Sequence, residues 1–429
     1  MTPANRNQAA RRPMSENRVG LIGALLSVVG PLSMSLFTPA MPEIVHAFGT
    51  TEAAVKLTLS LYFAGFAFAQ LVCGPLSDGF GRKPVIYGFM AIYLVATVAA
   101  LLAPTIHVLI AARILQGVGA AAGVAIARAI VRDLFAGERS ARIMNLIGVI
   151  LAIGPAVAPT VGGITMQLAG WHAIFVFMLA MAVSVILAVY FGLAETVERD
   201  LTRIRPAALF GSYASLIRSP HFLTAAIVIA GAAGAIYTQA TVLPFILIDR
   251  VGLSPTEFGL GMMMQTGGYL GGSLVLRRLM PRLGAFKLVP MGLAFMALGA
   301  VLMAAGLRLA EPSYLTVMGP VGLYTFGIAF VLPAMQTAAL APFPRIAGAA
   351  SAMAGFMQMG AGLVGGTVAA AFFDDPIEAL ATIIPVMGLI AILSYAIWRL
   401  LPDHEAPLPA SLRESVEQEA AIEAAAAIQ

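Results

Sequence analysis

Charge is what this chain has least of. Only 11% of its 429 residues are Asp, Glu, Lys or Arg, where a water-soluble domain carries about 25%. The single cysteine, Cys73, rules out an intrachain disulfide. No Gly-rich loop ending in Lys-Ser or Lys-Thr is present, which argues against ATP as the energy source. The five histidines (46, 107, 172, 221 and 404) fall in loops or at helix ends, and none of the 21 acidic residues lies deep in an apolar run. An integral membrane enzyme would want clustered carboxylates, His or Cys at depth, so that class is disfavoured. No metal- or cofactor-binding pattern stands out.

What is present is hydrophobic: 60% of the residues are apolar and the mean hydropathy is +0.91. Six apolar runs fall at 19–41, 55–76, 84–103, 106–130, 143–168 and 172–193, and six more at 221–248, 258–276, 286–307, 314–340, 346–373 and 378–401. Each approaches the roughly 20 residues that cross a hydrocarbon core. Without water to satisfy the backbone, the runs must be helical. The predicted fold class is an all-α integral membrane protein of twelve spans in two six-helix bundles. The predicted divisions are a tail at 1–18, a bundle at 19–193, a polar central loop at 194–220, a bundle at 221–401 and a tail at 402–429.

The pI near 9.3 suggests nucleic acid at first sight, but the basic residues alternate with the spans. With both termini on one side, nearly all of the 25 Lys and Arg share that side; only Lys56, Arg250 and Arg308 fall opposite, and Arg113 alone lies inside. That is the positive-inside pattern, and it places both termini in the cytosol. The partners are therefore a bilayer and a small solute rather than nucleic acid, and a monomer suffices. The halves also echo each other. Pro39 precedes Glu52 by the same step as Pro244 precedes Glu257, and Val161-Gly162-Gly163 is matched by Val364-Gly365-Gly366. Such duplication is typical of secondary transporters with a site near the midplane between the halves.

One short charged stretch, Gly74-Pro75-Leu76-Ser77-Asp78-Gly79-Phe80-Gly81-Arg82-Lys83-Pro84, reads as a hairpin between spans 2 and 3, with Pro84 opening the next helix. Its Gly74, Leu76, Asp78, Gly81, Arg82 and Lys83 closely resemble the signature of the major facilitator superfamily at that place. Arg113-Ile114-Leu115-Gln116-Gly117-Val118-Gly119-Ala120 resembles the span 4 motif of its drug:proton antiporter branch. Gly154-Pro155 through Pro159 to Gly162-Gly163 is similar to the span 5 motif of exporters, and Arg128 to Asp133 resembles the bicyclomycin- and chloramphenicol-resistance type.

The resemblance implies the major facilitator fold, a bacterial inner-membrane location, and export of small amphipathic drug-like compounds by alternating access with the proton gradient as energy source. It also implies a cytosolic latch in which Gly74, Asp78, Gly81, Arg82 and Lys83 work with Arg128, Arg132 and Asp133. Asp78 would clasp the start of span 11 and Arg128 or Arg132 when the cytosolic side closes; the competing reading is that Arg82 and Lys83 only fix topology. Arg113 lies roughly 10 Å below the outer surface. It is either a snorkelling interfacial residue or a cavity residue shared with Gln116. Gly148, Gly154, Gly162 and Gly163 allow close packing of span 5, and Pro155 and Pro159 are expected to kink it.

One position departs from the family pattern: at the end of span 1, Ser35 stands where the resistance type carries a carboxylate. Proton antiport needs a group that titrates with alternating access. Either Glu43 or Asp133 reaches the cavity, or the protein runs as a proton-independent facilitator or exchanger. Arg113 without a carboxylate also points to neutral or anionic substrates. Tyr62, Tyr237, Gln265, Tyr269, Gln336, Met357 and Gln358 complete the candidate cavity, each with helix packing as the competing role. The Met262–Met264 run offers an adaptable surface. A non-transporting receptor is the remaining alternative.

Overall fold

The computed structural model describes residues 14–135, 137–203 and 206–402. Most of the expected tails, including all of 403–429, lies outside these residues. Ten helices are long and apolar enough to cross a membrane. One of them, Gly137–Gly192, is two helices joined at Gly170, where φ is 76° and ψ 175°. A further helix over 255–283 has a turn residue at Met262, and its lower hydropathy sets it apart from the ten. Together these make twelve spans among the described residues.

We label them α1 (Glu16–Phe48), α2 (Glu52–Phe80), α3 (Arg82–Leu101), α4 (Ile106–Leu134), α5 (137–169), α6 (171–192), α7 (Pro220–Arg250), α8 (255–283), α9 (Ala285–Leu309), α10 (Tyr314–Leu340), α11 (Pro344–Phe372) and α12 (Pro376–Leu400). The helices start where capping chemistry allows. Thr51, Thr105, Ser219, Ser254 and Ser313 each accept a backbone N–H two to three residues into the helix they precede. The buried apolar side chains gather into two main clusters, one drawn mostly from residues before 194 and the other mostly from residues after 212.

Two expectations change. α1 begins at Glu16, inside the expected tail, and runs through a tight turn at Thr38–Ala40 to Phe48. The expected hairpin at 74–84 is helix through Phe80; Gly81 alone makes the corner and Pro84 is the third residue of α3, not the first. α5 and α6 part at Gly170, between the expected runs 143–168 and 172–193, and Pro155 and Pro159 lie within α5. The central loop also contains an apolar helix, Pro206–Ile217. Its Tyr213 hydroxyl donates to the Leu71 carbonyl of α2 at 2.5 Å, and burial pushes that phenol up to about 12.

Candidate functional site

The end of the molecule that carries Arg82, Arg132 and Lys287 is the basic end. There Gly81 turns the chain with φ 98° and ψ 157°, a region open to glycine and strained for other residues. A Cβ at Gly81 would also stand 2.9 Å from Glu195 Oε2. Glu195, just past α6, accepts the backbone N–H groups of Arg82 at 2.9 Å and Lys83 at 3.0 Å. It thereby caps the open donors of α3, where a carboxylate also suits the helix dipole.

The Arg82 side chain is 5% exposed. It donates to Asp78 at 2.5 Å and Ser77 at 2.6 Å on α2, and to Asp133 at 2.9 and 3.3 Å on α4. Thr196 donates to Asp133 at 2.9 Å. One guanidinium thus ties the ends of α2, α3 and α4, and Thr196 and Glu195 add the segment after α6. A buried cation is tolerated here because two carboxylates and a hydroxyl neutralise it.

The clasp of Asp78 on span 11 and Arg128 or Arg132 is expected for the state in which the cytosolic side is closed. Asp78 pairs with Arg82 on the next helix, and α4 contributes an acid, Asp133. Arg128 and Arg132 carry no ion pair among the described residues. Lys83 sits 6.0 Å from the Tyr87 ring, and Gly74 faces open space. Asp78 and Arg345, at the start of α11, both border a cavity of about 680 Å³ that Leu209 and Phe210 of the linker helix also line.

Eight residues into α4, Arg113 is fully buried. Its guanidinium lies 4.3 Å from the Phe37 ring and 4.5 Å from the Tyr62 ring, and one amino group donates to Gln116. Gln116 passes the chain on to Thr97 at 2.8 Å, and Tyr62 donates to the Gly30 carbonyl at 2.9 Å. The Nε and Nη2 of Arg113 have no hydrogen-bond partner among the described residues. Two aromatic faces offset part of the cost of burying the cation, by about 2 kcal/mol each when desolvated. Among the described residues three charged side chains are buried, Lys56, Arg82 and Arg113, and none is acidic. Ser35 is buried, and its carbonyl accepts from Thr38 at 2.9 Å.

The remaining candidates do not form one cluster. Gln358 donates to Tyr237 at 3.1 Å, and the Tyr237 ring lies 5.3 Å from Phe63 of α2. Those three side chains join α2, α7 and α11. Gln265, Tyr269 and Met357 are half-buried elsewhere, and Gln336 is exposed.

The two glycine pairs explain how the halves meet. Gly162 lies against the Leu36 carbonyl of α1 and Gly163 against Pro255 of α8, while Gly365 lies against Thr238 of α7 and Gly366 against Ser60 of α2. In each pair the first glycine packs within its half and the second across to the other. At the end opposite the basic one, a Cβ at Gly259 of α8 would stand 2.5 Å from the Pro159 carbonyl, and Thr256 donates to Gln167 at 2.6 Å. Towards the basic end the described residues do not continue this contact: a Cβ at Gly148 would meet none of them within 4 Å, and Val149 and Ile153 are 45% and 55% exposed. The α2–α11 seam runs further, from Ser60 and Gly366 to Gln70 and Gly355. Gly154 packs on Val28 of α1.

Sequence reasoning missed Glu195, Ser77, Thr196 and the Glu52–Lys56 pair. Glu195 lies 113 residues from the N–H it caps, and no local pattern connects the two. Lys56 was visible as a basic residue on the side that has few of them.

The family model of the Major Facilitator Superfamily matches residues 23–366. The "Chloramphenicol resistance protein" of Pseudomonas aeruginosa is 31% identical over 76% of this chain and 77% of its own. "Multidrug resistance protein D" of Escherichia coli is 26% identical over 87% and 94%. A bacterial homolog of the human lysosomal transporter Spinster, solved in an inward-facing, unoccupied conformation, shares the fold with a TM-score of 0.70 at 17% identity, over 90% of this chain and 96% of that one. This multi-pass membrane chain belongs to the Major Facilitator Superfamily, a family of transporters.

Proposed function

We propose that the protein exports small amphipathic organic compounds by alternating access, with the proton gradient as energy source. The observation that carries this reading is one-sided closure: the halves meet at the end opposite Arg82, and among the described residues the α5–α8 contact does not continue towards the basic end. That is the geometry of one state in a two-state cycle. The names of the drug-resistance relatives supply the substrate class. In this reading the basic end and both termini are cytosolic, in a bacterial inner membrane, and the chain works as a monomer. Residues 19–193 and 221–401 are the moving bodies, with 194–220 joining them. The Arg82 clasp holds the first body together and leaves Asp78 facing α11. Arg113, Gln116 and Tyr62 are reached from the cavity as the halves move, and Tyr237 and Gln358 lie between them.

Arg113, buried with no carboxylate partner among the described residues, favours neutral or anionic substrates of the phenicol kind. The same observation, with Ser35 in the place of a carboxylate, favours a second reading: a proton-independent facilitator or exchanger. Flux of chloramphenicol in proteoliposomes, with and without a pH gradient, separates them. Gradient-driven accumulation supports the first reading and gradient-independent flux the second. Absence of flux for phenicols and every other solute tried rejects both. Tighter binding of lipophilic cations than of phenicols rejects the substrate assignment.

A further inference from the structure

Lys56 is the buried charge that neither the clasp nor the Arg113 cage accounts for. Its side chain is 2% exposed and its Nζ lies 3.0 Å from Glu52 Oε2, one turn earlier on α2. The other close partner belongs to the other half: Nζ sits 5.1 Å from the ring of Phe245 on α7, itself fully buried. The direction of the side chain is fixed by its helix. Lys56, Ser60, Phe63 and Gln70 recur at helical spacing on one face of α2, and that face meets the second half throughout. Ser60 faces Gly366, Phe63 faces Tyr237 and Gln70 faces Gly355. Lys56 is the outermost member of this stripe, at the end where the halves are closed.

We propose that Lys56, Glu52 and Phe245 form the outer gate, with the Glu52–Lys56 pair setting how firmly the outer side closes. The proposal rests on the alternating-access reading and on its orientation, but not on which solute or ion is carried. The reasoning is electrostatic. Closing the gate takes the Lys56 ammonium out of water and sets it against an aromatic ring; opening returns it to water. Desolvation opposes closure, and the Glu52 carboxylate and the Phe245 ring offset it. A buried pair and its apolar replacement therefore behave differently. Removing only the acid leaves an uncompensated buried cation, whereas removing the cation with an apolar side chain of similar volume is neutral or favourable to the buried state. The gate thus predicts opposite signs for its two partners. Glu52 remains 33% exposed, so losing Lys56 leaves it partly hydrated.

The test is the distance between spin labels at Leu168 and Phe372, at the outer ends of α5 and α11, both largely exposed, in the full-length protein in nanodiscs with Cys73→Ser. No substrate is needed, so failure of the drug-export reading leaves the result interpretable. Glu52→Gln is expected to raise the ratio of outer-open to outer-closed molecules about tenfold, and Lys56→Met to lower it. Phe245→Leu, which keeps the site apolar and removes the ring, moves the ratio in the direction of Glu52→Gln by a smaller factor. Thermal unfolding of the same samples checks that each variant is folded. Shifts of the same sign for Glu52→Gln and Lys56→Met overturn the gate, as do unchanged distances in both.

Discussion

Gly81 and Gly284 turn the chain in nearly the same way. Each lies between two spans at the basic end, with φ 98° and ψ 157° in one and φ 78° and ψ 148° in the other. Their surroundings differ. Gly81 is enclosed by Glu195, and the next residue, Arg82, collects Asp78, Ser77 and Asp133. A Cβ at Gly284 would meet nothing within 4 Å. The duplicated backbone kept its corner in both halves, but the charged chemistry was built on one. The outer ends repeat the lesson. Glu52 and Glu257 sit at matching steps from Pro39 and Pro244, yet Glu52 neutralises Lys56 while Glu257 accepts from the Ser254 N–H and hydroxyl at 2.8 Å and caps its own helix. Equivalent positions share geometry and not duty.

The comparison breaks most directly at Arg82. Arg82→Ala leaves Asp78 and Asp133, both partly exposed, without their cation and is expected to lower stability by about 1.5–3 kcal/mol, read from unfolding in detergent. Lys287→Ala, beside the bare corner and exposed, is expected to change it by less than about 0.5 kcal/mol. Equal losses would mean that the clasp carries no special weight. Next come the glycines that cross between halves. Gly163→Val and Gly366→Val each press a side chain into the partner helix, at a cost of about 1–3 kcal/mol to the outer-closed state. That should slow solute flux and open the outer side in the spin-label measurement, whereas Gly148→Val, which meets open space, leaves the distances unchanged. The corners themselves give a finer comparison. Gly284→Ala bears only the penalty of a backbone region open essentially to glycine, about 1–3 kcal/mol, and Gly81→Ala should exceed it because the new methyl meets Glu195. A small loss is expected from Tyr213→Phe, which removes the bond to the Leu71 carbonyl and should cost about 0.5–1.5 kcal/mol in unfolding.

Much of the architecture was legible because a bilayer leaves few choices. The apolar run 314–340 is the helix Tyr314–Leu340 without change. α8 was harder, since Gly267, Gly268, Gly271 and Gly272 dilute its hydropathy while letting Gly268 and Gly272 pack on α10. The hairpin was misread for a physical reason. Gly74, Pro75 and Gly79 look like turn residues, but within α2 they stay helical, and the single positive φ of Gly81 suffices to turn the chain. At the site, Arg113 and Gln116 were expected to share a cavity; the structure buries both and joins them by a hydrogen bond. The aromatic cage of Phe37 and Tyr62 comes from α1 and α2, and its assembly depends on tertiary packing. Asp133 was visible as a latch residue, but no sequence pattern pointed to its partner, which is Arg82, 51 residues away.

The central claim is that solute crosses only if the outer ends of the halves part. Thr256 and Gln167 touch across the α5–α8 seam, so Gln167→Cys with Thr256→Cys, in a Cys73→Ser background, places a removable bond across it. Oxidation is predicted to abolish phenicol flux in proteoliposomes and reduction to restore it. Undiminished flux through fully cross-linked protein would contradict the account.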